Sequence, residues 1–207
     1  LFKQDGSRIS PSSDRFLNYF LSFTMDTYDR RYFPTRGAQV RLHGILHTDN
    51  GIRYDDDVPF GEVSLHAETA VRLAPKLYML PSLKGRMLFG SNIPCIYQNC
   101  AGGPFDGNYL PWQMAWETAQ HVHQLENNAV AARLAMRYRV KGKFYLTALG
   151  EYGKEAHEIV HILRGNDLWG CALRASYDFV LGPISLQANY SNLRKNVGFY
   201  LNAGFYF

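Results

Sequence analysis

The chain has 207 residues and a net charge of +4; 19% of its residues are charged and 14% aromatic. That length suits one domain with a core of its own, and so mild a positive charge, with no Lys/Arg block, gives no footing for a nucleic-acid partner. No run approaches the roughly 18 apolar residues of a membrane-spanning helix.

The chain opens at Leu1 with neither a methionine nor a signal peptide, and reads as a fragment or a trimmed mature piece. From residue 17 onward the pattern has period two, the mark of strands with one apolar and one polar face. Leu17–Met25 sets Leu17, Tyr19, Leu21 and Phe23 against Asn18, Ser22 and Thr24. Ala38–Leu46 sets Val40 and Leu42 against Gln39, Arg41 and His43. Val63–Leu73 and Leu77–Phe89 continue in the same way, with Ser64, His66, Glu68, Lys84 and Arg86 on the polar side. Ala132–Val140 opposes Leu134, Met136 and Tyr138 to Arg133, Arg137 and Arg139, and Phe144–Tyr152 places Glu151 on its polar side. Cys171–Phe179 opposes Leu173 and Tyr177 to Arg174 and Asp178; Ile184–Ser191 opposes Leu186 to Gln187 and Asn189. Val197–Phe207 alternates strictly to its terminal aromatic residue.

In these nine segments no Asp, Glu, Lys or Arg falls on the apolar parity. An uncharged face repeated along strands of about ten residues predicts contact with lipid. In hydrocarbon only a closed barrel leaves no unpaired backbone edge. The connections agree apart from the short last outer link at 193–196: Asp49–Phe60, Ser91–Asn127 and Gly153–Asp167 are long, whereas Ala74–Lys76, Lys141–Lys143 and Leu181–Pro183 are tight. Long loops outside and short turns in the periplasm are the habit of bacterial barrels. Nine is an odd number, so Leu1–Asp14 reads as the end of an outer loop whose preceding strand lies further upstream.

Several segments invite a chemical reading. His157–Glu158–His161 matches H-E-x-x-H, in which two histidines on one helix face hold zinc. No His or Glu follows His161 to supply a third ligand, so these residues are rejected as a metal site in favour of a polar outer loop. His121 and His123 could share a metal if extended, or simply lie in a packed loop. The aspartate run in Asp49–Phe60 lacks the spacing of a calcium loop. Cys95 and Cys100 are close enough to bridge a loop, or to remain two free thiols. Trp112 and Trp116 suit either an interfacial girdle or a loop packed on the wall; Trp169 suits the girdle. The charges of the polar parity, Arg133, Arg137, Glu151 and Arg174 among them, are expected to face the lumen. There they either govern passage, or hold a plug, or fill the space with ion pairs.

Thr24–Leu42, "TMDTYDRRYFPTRGAQVRL", resembles the surface-antigen barrel superfamily of BamA/TamA-type outer-membrane proteins, with Asp29, Pro34, Thr35 and Gly37 as the motif turn. Ser176–Phe207 resembles that family's last three strands. Asn99–Trp112, with Gly102, Gly103, Phe105, Asp106 and Gly107, stands where the family's lumen loop folds inward. The resemblance implies strands eight to sixteen of a sixteen-stranded antiparallel transmembrane β-barrel, with residues 1–207 its C-terminal barrel domain. It also implies a terminal assembly signal in Phe199, Leu201, Phe205 and Phe207. Assembly and secretion members carry an Arg-Gly-Tyr/Phe triplet in that loop, but Ser91–Asn127 has no Arg or Lys, and Glu151 lacks the arginine it would receive. The GG-x-F-D-G form is more similar to barrels attached to patatin-like phospholipases. The expected function is therefore to anchor or translocate an attached passenger, with a BamA/TamA-type assembly or secretion factor as the alternative. No hydrolase elbow occurs, so no enzyme or cofactor is expected in this chain. The expected location is the bacterial outer membrane. The expected partners are its lipid and lipopolysaccharide, the barrel assembly machinery and an upstream passenger domain.

Overall fold

The computed structural model of the chain describes residues 17–49, 52–53, 59–90, 93–103, 110, 112–119, 121–193 and 195–204. All nine period-two segments are strands. The first four are β1 (Leu17–Asp26), β2 (Gly37–Thr48), β3 (Phe60–Ala74) and β4 (Leu77–Phe89). The long loop contains two short strands that the alternation did not predict, β5 (Cys100–Ala101) and β6 (His123–Gln124). The remaining five are β7 (Asn128–Lys141), β8 (Phe144–Ala156), β9 (Asn166–Phe179), β10 (Gly182–Ser191) and β11 (Val197–Ala203). The nine long strands form one antiparallel sheet in the order β1-β2-β3-β4-β7-β8-β9-β10-β11, while β5 and β6 pair with each other. Neither outer strand, β1 or β11, pairs a second time, so the sheet is open among the described residues.

The register aligns the apolar parities across the whole sheet. Phe23 faces Leu42, which faces Leu65; Met79 faces Met136, which faces Ala148 and then Leu173; Leu186 faces Leu201. A slip of one residue anywhere would turn a strand's apolar set to the wrong face. Leu21, Leu173, Phe199 and Leu201 are each at least 67% exposed, which gives the sheet a continuous uncovered apolar surface.

That surface is bounded by aromatics. Tyr152 faces Trp169 at the loop end, and Phe144 faces Tyr177 at the turn end. Tyr152 and Phe144 are eight positions apart on β8, roughly 26 Å along a strand and, at the usual barrel tilt of about 40°, about 20 Å of height, a little less than the apolar band of about 25 Å between aromatic girdles.

Several strands run further toward the loops than the hydrophobic alternation indicates. β9 starts at Asn166 rather than Cys171, and β8 continues to Ala156. The extra residues are polar even on the apolar parity: Lys154 pairs with Asp167 at 2.7 Å, and the Tyr152 hydroxyl donates to the same carboxylate at 2.6 Å. Backbone pairing persists past the hydrocarbon edge, where charges are cheap.

The long loop covers part of the opposite face, and one buried cluster lies between the two. Ala101, Met114, Trp116, Ala119 and Leu125 pack against Ala129 of β7 and Leu168 of β9. A second cluster, of Ala70, Tyr78, Leu80, Ala135, Leu149 and Ala172, packs against Tyr28 of the β1–β2 turn, while β1 is exposed throughout. All three cysteines are free, so Cys95 and Cys100 do not bridge. Phe205, Phe207 and the aspartate run at 55–57 lie outside the described residues.

Candidate functional site

The loop between β4 and β7 is held on the inner face at a stem and at a tip. At the stem, Asn99 is fully buried; its side-chain nitrogen lies within 3.1 Å of the carbonyls of Arg86, Glu126 and Asn127. Arg86 of β4 returns the contact, donating to the Tyr97 carbonyl at 2.8 Å and to Asn99 Oδ1 at 2.9 Å. Its guanidinium also pairs with Glu62 of β3, and both side chains are buried. Trp112 stacks on Tyr97 at 5.4 Å and lies 6.0 Å from the Arg86 guanidinium. Burial raises the Tyr97 phenol, with Glu62 adding to the effect, so it remains a neutral ring in this cluster. Burial likewise pushes the Cys100 thiol up, against a weaker pull from Arg86, which keeps it a passive packing group.

The tip is delivered by the paired glycines. Gly102 and Gly103 grip the segment opposite through Gly102 N to Met114 O at 3.1 Å, Trp116 N to Gly103 O at 3.0 Å and Gly103 N to Ala119 O at 2.7 Å. A side chain at Gly102 would meet the His121 carbonyl 2.1 Å away. The clasp leaves Trp116 buried and Glu117 projecting into the wall. Phe105, Asp106 and Gly107, the rest of that motif, fall outside the described residues.

Glu117 is the centre of the site. Its two carboxylate oxygens pair separately with Arg133 of β7 and Arg174 of β9. Its carbonyl accepts from Gln187 Nε2 at 2.5 Å and Asn189 Nδ2 at 3.3 Å, both on β10. The buried Glu151 carboxylate of β8 accepts the backbone N–H groups of Glu117 at 3.3 Å and Thr118 at 3.0 Å. Four adjacent strands thus converge on one loop residue. Arg133 also pairs with Glu68 of β3. Charge-assisted bonds of this kind are the strong ones.

The structure therefore brings Arg133, Arg174 and Glu151 together around Glu117 of the loop. The loop supplies a carboxylate to wall arginines, and Glu151 receives backbone N–H groups instead of a guanidinium. The sequence reading missed Glu117. It is the one acidic residue in the stretch between the glycine pair and the loop histidines that lies within the described residues, and that isolation was the available signal.

Arg137 sits apart, under the β1–β2 turn. Its guanidinium donates to the Pro34 carbonyl and lies 5.5–5.8 Å from the rings of Phe33, Tyr78 and Tyr145. Phe33 stacks on Tyr145 at 4.3 Å. The motif turn owes its shape to Asp29, which accepts from the Thr35 hydroxyl at 2.5 Å and from the amides of Thr35 at 2.7 Å and Arg36 at 3.2 Å. Desolvation pushes the Asp29 carboxyl up, but these hydrogen bonds outweigh it and hold the pKa down at about 2. Gly37 has φ +105°, and a Cβ there would lie 2.3 Å from the Thr27 carbonyl, so only glycine fits. Tyr28 donates to Glu68 at 2.9 Å, and burial followed by that carboxylate raises its phenol well above the usual range.

His157, Glu158 and His161 lie in the loop between β8 and β9. A 3-10 helix covers Ile159–Arg164, so His157 and Glu158 precede it. His157 is 3.6 Å from Glu126 and His161 is 3.3 Å from Glu158, all of them exposed. The two histidines do not share an α-helical face, as a metalloprotease motif requires. His121 is exposed and His123 half-buried on β6, and among the described residues no group of three metal-ligating side chains occurs. Phe199 and Leu201 stand on the exposed apolar face.

A family model described as the OMP85 superfamily matches residues 3–207. No curated protein matches the chain.

Proposed function

The chain belongs to the OMP85 superfamily of bacterial outer-membrane proteins, and from that premise we propose that it is a lipid-embedded barrel segment that anchors or translocates a passenger attached upstream, of the patatin-like type. The observation that carries this reading is the two-sided sheet: an uncharged apolar face continuous in register, backed by a loop fixed to the polar face. Upstream strands close the barrel against the open edges of β1 and β11, and Arg133, Arg137, Glu151 and Arg174 then face the lumen. Phe199 and Leu201 of β11 belong to the signal read by the assembly machinery.

The negative charge at the loop tip supports the passenger reading over the assembly-factor reading. A loop without Arg or Lys presents Glu117 to the wall, and its GG-x-F-D-G stretch is similar to barrels of patatin-like proteins.

The test uses the full-length protein in the outer membrane of intact cells. Protease added outside should reach the upstream part of the chain, while levels of other outer-membrane barrels stay unchanged when the protein is depleted. A passenger protected on the inner side, with other barrels lost on depletion, reverses the assignment in favour of an assembly factor.

A further inference from the structure

Between the loop tip at Glu117 and the motif turn at Tyr28–Pro34 lies a chamber of about 650 Å³, within the size range of small-ligand sites. Among the described residues five arginines line it: Arg30, Arg31, Arg133, Arg137 and Arg174. Among the described residues its carboxylates are Asp26, Glu68 and Glu117, so guanidinium groups outnumber them in the described lining. The acids are already engaged: Glu117 holds Arg133 and Arg174, Glu68 holds Arg133, and Asp26 accepts from Gln39 at 3.0 Å.

Arg137 is the informative member. It is 5% exposed, forms no ion pair among the described residues, and its Nε has no hydrogen-bond partner there. A guanidinium buried beside aromatic rings and one carbonyl, without a counter-ion, is a costly arrangement unless something else neutralises it. Thr147 and Ser176 add buried hydroxyl-bearing side chains to the same wall. Arg30 and Arg31 are the exposed arginines of the chamber.

We propose that this chamber binds a phosphate dianion, free or borne as a phosphomonoester. Guanidinium forks match phosphate oxygens in pairs. A phosphomonoester carries about −1.5 to −2 charges at neutral pH and three strong acceptor oxygens, so it can engage Arg137 and a second guanidinium fork together; a single carboxylate offers two oxygens to one fork. The inference is independent of what the barrel carries.

The test is calorimetric titration of the full-length protein in neutral detergent with inorganic phosphate, against chloride at matched ionic strength. Saturable binding is expected, weakened at least fivefold by Arg30→Gln with Arg31→Gln, and at least tenfold by Arg137→Gln. If Arg137→Gln does not fold, the exposed double variant decides alone. Binding that follows ionic strength only, equal binding in the double variant, or equal binding of acetate overturns the site. Micelles doped with a phosphomonoester lipid separate the sources: competition with phosphate assigns a lipid headgroup, and its absence assigns the soluble anion; the site stands in both cases.

Discussion

Glu117 and Arg174 form an ion pair across 57 residues of chain, joining the tip of the longest loop to the middle of β9. Arg133 completes the arrangement from β7, and the three side chains are from 5% to 24% exposed. Replacing Glu117 with Gln leaves the Arg174 guanidinium without a counter-charge and Arg133 with Glu68 alone. Losing one partner of such a pair costs on the order of 3 kcal/mol. The cost falls on loop docking, so limited proteolysis should cut within residues 110–124 of the variant while the sheet remains intact. Equal resistance to protease would mean that the pair does not hold the loop.

Thr118 follows Glu117 and rests against Gly170 of β9. A Cβ at Gly170 would come 2.1 Å from the Thr118 hydroxyl oxygen and 2.8 Å from the Tyr190 carbonyl. Gly170→Ala should therefore loosen the loop as Glu117→Gln does, and adding Thr118→Gly should restore only part of the loss, because the backbone clash remains. Full recovery, or no effect of the alanine, would contradict this packing.

The apolar face can be mapped directly. Single cysteines at Leu173, Leu186 and Leu201, in a chain without native cysteines, should carry a fluorophore quenched by a lipid-soluble quencher. The same label at Ser185, on the opposite parity of β10 and buried, should be insensitive. An arginine at Leu173 should cost about 2–4 kcal/mol of stability in bilayers, read as a lowered urea midpoint. The reverse labelling pattern would turn the sheet inside out.

Asp29 supplies a pH dependence. Its folded pKa of about 2 lies below the ordinary 3.8, so its contribution is fully present above pH 4 and is lost as the pH falls toward 2. Because the side chain is exposed, solvent screening keeps that contribution small. Amide exchange at Thr35 and Arg36 should quicken relative to other turn amides across that window, and Asp29→Asn should show no such pH-dependent change.

Much of this molecule was legible in its alternation. A strand between lipid and a polar interior must show period two, and each of the nine segments became a strand of the expected sheet. The strand ends beyond the hydrocarbon were not legible, since Lys154 and Asp167 pair without any apolar signal. The motif turn was legible as a pattern, and its chemistry, a carboxylate receiving three bonds above a glycine with positive φ, became visible only in three dimensions. The loop was least legible. The loop's lack of an arginine says nothing of Glu117, which carries no periodicity and whose partners lie 16 and 57 residues away.

The convergence of β7, β8, β9 and β10 on Glu117 has a mechanical meaning. Those four staves are tied by a single rivet on their inner side, and a force applied anywhere along the loop spreads over all of them at once. Sideways parting of the wall should then begin elsewhere, at the margins formed by β1 and β11, where the rivet makes none of these ties.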